Sequence, residues 1–224
     1  MQSVESQLVL TPVFRKLCKL QQKELQRLGI NRILEKGDRI ISYGEIWRYV
    51  ILIREGIIEA RKESEEGRTL VVCTYKTGDV IWGHAMFDGE PTPGTLVAKV
   101  PCIIIQWHGN ELFPLIWNNN EALWDLCVLL HQRLRKTSNV IEELAFSPTA
   151  GRLAKLLLEF FKSEHQASVK RIMTLDEMAA RVGTTREVVC RLLYRFSHSN
   201  IIQVNRTHIR LMNKSELHKL AGKG

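Results

Sequence analysis

Residues 174–196 read Thr174-Leu175-Asp176-Glu177-Met178-Ala179-Ala180-Arg181-Val182-Gly183-Thr184-Thr185-Arg186-Glu187-Val188-Val189-Cys190-Arg191-Leu192-Leu193-Tyr194-Arg195-Phe196. The spacing predicts two helices joined by a short turn. Thr174 and Glu177 stand three apart, so each side chain can satisfy a free N–H at a helix start. Met178, Ala179 and Val182 give that helix an apolar side. Gly183 falls where the chain must turn, and glycine accepts a left-handed backbone there without steric cost. Thr184 and Thr185 are good caps for the next helix. Two helices joined by a short Gly-containing turn form a helix-turn-helix.

At 100° per residue from Arg186, Val189, Leu192, Leu193 and Phe196 fall between about 240° and 340°, a face fit for a core. Glu187, Cys190, Arg191 and Arg195 fall between about 40° and 180°, beside Arg186. An Arg can bind guanine through two hydrogen bonds, and a Glu can accept from the cytosine amino group. A recognition helix carries such side chains into the major groove. The expected DNA contacts are Thr184, Thr185, Arg186, Glu187, Arg191 and Arg195.

The charge distribution agrees. Residues 145–224 hold 14 Lys/Arg against 6 Asp/Glu, the whole of the chain's +8, whereas residues 1–144 hold 18 of each. Cationic excess drives salt-dependent binding to phosphates, so the C-terminal part is the expected DNA-binding half.

The stretch Thr-Thr-Arg-Glu-Val-Val-Cys-Arg-Leu-Leu, 184–193, resembles the recognition helix of the Crp/Fnr transcription regulators, most of all their catabolite activator branch. The resemblance implies that Arg186, Glu187 and Arg191 read a DNA half-site and that Gly183 is the family's turn glycine. Residues 204–211 look like the family's wing, with Asn205, Arg206, Thr207 and His208 at its tip against phosphates. Residues 30–107 alternate short β-rich runs, the first marked one at 39–42, with Gly-Asp, Tyr-Gly-Glu and Glu-Gly turns. Regularly spaced turn signals predict a sandwich- or barrel-like β domain, and their order resembles the family's cyclic-nucleotide-binding β-roll.

Ahead of the β region, residues 12–28 are expected to form an amphipathic helix with Phe14, Leu17, Leu20 (or Leu25) and Leu28 inward. After it come a short helical piece, 110–117, and the asparagines Asn118 to Asn120, which can cap a following helix. In that helix Leu123, Cys127, Leu130, Leu134, Thr137, Ile141 and Leu144 are spaced alternately by four and three. This heptad seam predicts pairing of two chains, and the segments 134–138 and 142–146 resemble the family's dimerisation helix. Ser147-Pro148 breaks it, Ser147 as cap and Pro148 at the first position of a helix over 149–163. The expected fold is α+β: an effector-sensing β-roll over 1–118, a dimerisation helix and hinge over 119–146, and a winged helix-turn-helix over 147–224.

The effector is not cyclic AMP on this reading. In the family's cyclic-AMP branch the cassette after the Gly-Asp strand supplies an acid for the ribose and an Arg for the phosphate. Here His84 stands in the acid's place, and no Arg or Lys lies between Lys76 and Lys99. A buried phosphodiester without a cation is poorly compensated. Thr137 and Ser138 do match the pair that meets the purine in that branch. The spacing Gly78-Asp79-x-x-x-x-His84 is similar to the family's carbon-monoxide-sensing haem regulators, so haem on His84 is the alternative, with Trp82, Met86 and Phe87 as an apolar lining. Those regulators take their other ligand from an N-terminal proline, whereas the first proline here is Pro12.

The five cysteines are far apart, without a Cys-x-x-Cys pair. The spacing argues against a zinc site or disulfide framework and, by comparison with the family's oxygen-sensing branch, against an iron–sulfur cluster. Cys190 falls on the DNA side of the recognition helix, where oxidation would add bulk. A ligand-independent, constitutive DNA binder is a further alternative. No catalytic constellation stands out, so an enzyme is not expected. No run of eighteen apolar residues and no signal-peptide pattern appears, so the expected address is the cytoplasm, without membrane. The expected partners are double-stranded DNA, a second copy of the chain, RNA polymerase (as an activator) and a small-molecule or gas effector.

Overall fold

The computed structural model describes residue 8 and residues 11–161 and 168–222. The chain divides into two compact units, residues 1–62 with 72–137, and residues 63–71 with 138–224.

In the first unit a 3-10 turn, Phe14–Lys16, leads to helix α1, Lys19–Leu28. The single helix expected over 12–28 is interrupted at Leu17, whose backbone is extended, and Cys18 starts α1 instead. Phe14, Leu17 and Leu25 are buried while Leu20 is exposed, so of the two alternatives Leu25 is the inward residue. Eight strands follow: β1 Ile30–Leu34, β2 Arg39–Ile41, β3 Tyr49–Glu55, β4 Ile57–Glu63, β5 Thr69–Lys76, β6 Val80–Trp82, β7 Thr95–Ala98 and β8 Cys102–His108. They form two four-stranded sheets, ordered β1-β8-β3-β6 and β2-β7-β4-β5.

Ile51, Ile53, Ile58, Leu96 and Ile104 belong to one buried cluster of this unit. A second cluster joins Val50, Leu52 and Trp107 to Phe14, Leu25 and Ile116. Trp107 is fully buried, and its indole N–H is satisfied by the Leu25 carbonyl at 2.7 Å. Strand β1 falls at the start of the expected β region, 30–107, ahead of the first marked run at 39–42. Its Ile30 and Ile33 are exposed, so it carries no alternating burial. It is a strand because it pairs antiparallel with β8 from Ile30 opposite Gln106 to Leu34 opposite Cys102.

Helix α2, Gly109–Trp117, is capped by His108, whose Nδ1 accepts from the Asn110 N–H at 3.2 Å. Helix α3, Asn120–Phe146, follows, and of the three asparagines it is Asn119 that caps it, accepting from the Ala122 N–H at 3.0 Å. The 27 residues of α3 carry the chain from the first unit into the second.

The second unit contains α4 Thr149–Phe160, β9 Ser168–Lys170, α5 Leu175–Val182, α6 Arg186–His198, β10 Ile202–Val204, β11 His208–Leu211 and α7 Lys214–Ala221. Pro148, with extended-type ψ, occupies the cap of α4 rather than its first helical position, and Ser147 lies one residue outside. The expected helix to 163 ends at Phe160, and residues 162–163 lie outside the described residues. The three strands form a sheet ordered β10-β11-β9. Leu153, Leu157, Met178, Val189, Phe196 and Ile209 share one buried core.

Candidate DNA-reading helix and effector cavity

The turn between α5 and α6 is built as its residue types require. Thr174 Oγ1 accepts from the Glu177 N–H at 3.1 Å, and Glu177 Oε2 accepts from the Thr174 N–H at 2.8 Å. Gly183 ends α5 in the left-handed region, φ 68°, and a Cβ there would stand 2.6 Å from Leu144 Cδ2. Glycine is therefore required twice over, by backbone and by the close passage of Leu144. Thr185 is the N-cap of α6 but makes no capping bond with its side chain. The Glu187 carboxyl is held below the ordinary carboxylate range by hydrogen bonds from its own N–H and from Thr185, so it is ionised at neutral pH.

On α6 the angular assignment is reproduced. Val189, Leu192, Leu193 and Phe196 are buried, while Arg186, Glu187, Cys190, Arg191 and Arg195 are exposed. Arg186 meets Asp176 at 3.4 Å, and both are largely solvated, so the pair adds little stability and leaves the guanidinium accessible. Strands β10 and β11 form the hairpin whose turn is Asn205 to Thr207. Asn205 Oδ1 accepts from the N–H groups of Thr207 and His208, which fixes the turn and leaves Arg206 exposed at its tip.

Arg152 joins the end of α3 to the turn of the helix-turn-helix. It donates to Ser147 O at 2.5 Å through Nη1 and to Val182 O at 2.8 Å through Nε. Burial lowers its pKa, the neighbouring Glu143 opposing. One guanidinium thus serves carbonyls that the helix ends leave open.

The heptad stripe on α3 is mostly uncovered in one chain. Leu134 is 64% exposed, Ile141 62% and Leu130 38%; Cys127 is exposed, whereas Leu123, Thr137 and Leu144 are half-buried. By contrast Ala122 and Leu126, off the seam, are buried against the chain's own core.

Within the first unit lies a cavity of about 440 Å³, whose walls include Trp47, Tyr75, Trp82, His84, Phe87 and, from α3, Leu130, Leu134 and Thr137. Its size is usual for a small-molecule site. Gly83 sets the chain beside it, since a Cβ there would collide with the Trp47 carbonyl oxygen. Two of the expected pocket residues lie elsewhere. Met86 packs toward Gly109, and Ser138 is exposed on α3; neither lines the cavity. His84 does line it, from the 3-10 turn His84–Met86. Burial lowers the His84 pKa, partly opposed by Asp88, so the imidazole is neutral at pH 7.

The cations absent from the Gly78–Thr95 cassette come from other elements. Arg61 on β4 and Arg133 on α3 both line the cavity, as does Lys62. Arg61 Nη2 meets Glu59 Oε2 at 2.7 Å, and Glu59 is 2% exposed. Arg133 donates to the Val80 carbonyl and lies 4.5 Å from the centre of the Tyr75 ring. Burial, against the opposing charge of Arg133, pushes the Tyr75 hydroxyl up to about 12. The sequence held one signal for Arg61. Glu59 and Arg61 stand two apart on a strand and so face one side. Arg133 is separated from β5 by more than fifty residues, and nothing local reveals it.

Among the described residues no cluster of three or more His, Cys, Asp or Glu is placed to hold a metal ion, and no helix is long and apolar enough to cross a membrane.

Two family models match. Residues 31–119 match the cyclic nucleotide-binding domain and residues 151–220 the Crp-like helix-turn-helix domain. The chain is 26% identical over 171 residues to the cAMP-activated global transcriptional regulator CRP of Pasteurella multocida, covering 74% of this chain and 82% of that protein. It superposes on a Crp/Fnr-family regulator of Eubacterium rectale with a TM-score of 0.81 at 20% identity, over 94% of this chain and 97% of the other. On the c-di-GMP responsive regulator CLP of Xanthomonas campestris the TM-score is 0.76 at 18% identity, over 87% and 99%. At those identities the two structures bear on the fold alone. With a β-roll ahead of a long helix and a winged helix-turn-helix, and with both domain models matched in that order, the chain belongs to the Crp/Fnr family of DNA-binding transcription regulators.

Proposed function

We propose that this chain acts in the cytoplasm as a homodimer that binds a pseudo-palindromic DNA site, recruits RNA polymerase and responds to an effector in the β-roll other than cyclic AMP, with no catalysis of its own. The observation that carries it is the two-faced α6: its apolar side is buried, and its solvent side presents Arg186, Glu187, Arg191 and Arg195, with Arg206 exposed at the wing tip as well. Two such helices about 34 Å apart would meet successive major-groove faces. The α3 stripe offers the pairing surface, since Leu134 and Ile141 are exposed in the single chain.

Arg191 and Arg206 divide the work between reading bases and holding phosphates. Fluorescence anisotropy on a selected operator and on random DNA tests this. Arg191→Ala is expected to lose about 1–3 kcal/mol on the operator and relax base preference there. Arg206→Ala is expected to weaken both DNAs evenly and lower the salt slope by about one. Equal losses on both DNAs for Arg191→Ala would remove its base-reading role.

A second reading places haem on His84, favoured by a neutral imidazole in the cavity wall. Imidazole is a common haem ligand. The absorption spectrum of the protein as isolated from cells decides it: a Soret band that shifts with carbon monoxide and disappears in His84→Ala supports it, and a featureless spectrum refutes it for that material.

A further inference from the structure

Resting on the reading of the β-roll as an effector domain, we propose that its cavity takes a flat, apolar-bodied organic anion, an aromatic carboxylate, in place of a sugar phosphate. The walls decide the body of the ligand. Trp47 and Trp82 are 4% and 5% exposed, and with Tyr75 and Phe87 they supply four aromatic side chains to one cavity. Such a lining favours an aromatic ring through burial and edge or offset stacking.

The charges decide its polar end. Arg61, Lys62 and Arg133 line the cavity, and no Asp, Glu, Asn or Gln is among the described lining residues. A ribose needs acceptors for its hydroxyls, which a carboxylate supplies best. This wall offers no carboxylate or amide for that purpose, only the weaker acceptors of hydroxyls and an imidazole. The guanidiniums are also held in place. Buried Glu59 accepts from both Nε and Nη2 of Arg61, at 3.0 and 2.7 Å. Arg133 is fixed by the Val80 carbonyl and the Tyr75 ring. Two planar, positioned guanidiniums suit a planar carboxylate, which takes paired hydrogen bonds. Preorganisation lowers the ordering cost of binding. Trp82 adds a donor, since its indole N–H is buried without an acceptor among the described residues.

Calorimetry on the full chain tests this with naphthalene-1-carboxylate, indole-3-carboxylate and phenylacetate, each paired with its alcohol, and with cyclic AMP. At least one acid is expected to bind ten times more tightly than its alcohol. Glu59→Gln with Arg61→Met removes the inner pair without stranding a buried carboxylate, and it should narrow the gap between acid and alcohol, Arg133 remaining, while leaving the alcohol's affinity unchanged. Phe87→Ala, on an exposed ring, should weaken acid and alcohol alike. Acids and alcohols binding equally, none of the acids binding, or cyclic AMP binding more tightly than every acid would each overturn the proposal. Operator affinity is measured on the same samples. Retained operator binding with no acid binding sinks the ligand class alone, whereas lost operator binding in the unmodified protein sinks the regulator reading.

Discussion

Replacing Ile141 by Gln tests the pairing surface with little risk to the folded chain. Ile141 is 62% exposed, so its side chain contributes little to the monomer core. Gln is a good helix former, so α3 keeps its helical propensity. Fully burying a Leu or Ile side chain contributes about 1.5–3 kcal/mol. Scaling by the exposed share leaves about 1–2 kcal/mol for Ile141 to gain in a partner interface. A two-fold seam counts the residue twice, giving about 2–4 kcal/mol, or roughly thirty- to several-hundred-fold in the dimer constant. Gln keeps part of the aliphatic stem, so the lower half of that range is expected. Sedimentation equilibrium over a concentration series measures it, with Leu20→Gln as control because Leu20 is 77% exposed on α1, away from the stripe. Operator affinity should fall with the dimer fraction. An unchanged dimer constant in Ile141→Gln, or an equal loss in Leu20→Gln, would refute the assignment of the stripe as the seam.

The remaining predictions concern the turn and the imidazole. Thr174→Ala removes one side of a reciprocal cap and should cost about 1 kcal/mol, read by urea denaturation. Gly183→Ala forces a left-handed alanine whose Cβ meets Leu144; a loss of about 1–3 kcal/mol is expected, and Leu144→Ala in the same chain should recover the steric part. Below pH 6.5 an unfolded His84 takes up a proton more readily than the folded one, whose pKa is lowered. Stability linked to His84 is therefore full above pH 6.5 and is lost as pH falls toward the folded value. The melting temperatures of the unmodified protein and His84→Gln, taken from pH 5 to 8, should diverge only at the acid end.

The helix-turn-helix was legible because every determinant is local. The cap pair spans three residues, the turn glycine is a single position, and the two faces of α6 repeat at 3.6 residues. The β-roll strands from 39 onward were legible for the same reason, since glycine turns bound each run. The legibility ends where a residue's place is set by distant partners. Strand β1 exists through β8, and three-residue β9 is too short for any period and exists through β11. Leu20 and Leu25 compete for one inward position, and the break at Leu17 resets the phase of α1 in favour of Leu25. Met86 looked like a cavity residue from its distance to His84 in the chain, yet the tight 3-10 turn swings it toward Gly109.

The missing cations have the most bearing on function. A cassette without Arg or Lys argues against a phosphate only if the cassette is the sole source of charge. Arg61 and Arg133 enter the same cavity from β4 and α3, so the site is cationic after all. What the cassette substitution removes is the acceptor for a sugar, not the attraction for an anion. That is why the proposed ligand keeps the charge and loses the ribose. Leu130, Arg133, Leu134 and Thr137 also lie on the helix proposed to pair the chains, and Leu130, Leu134 and Thr137 belong to both the cavity wall and the heptad stripe. If both proposals hold, one set of side chains answers to two partners. A ligand that alters their packing then shifts the dimer constant, and by thermodynamic reciprocity dimerisation shifts ligand affinity by the same factor.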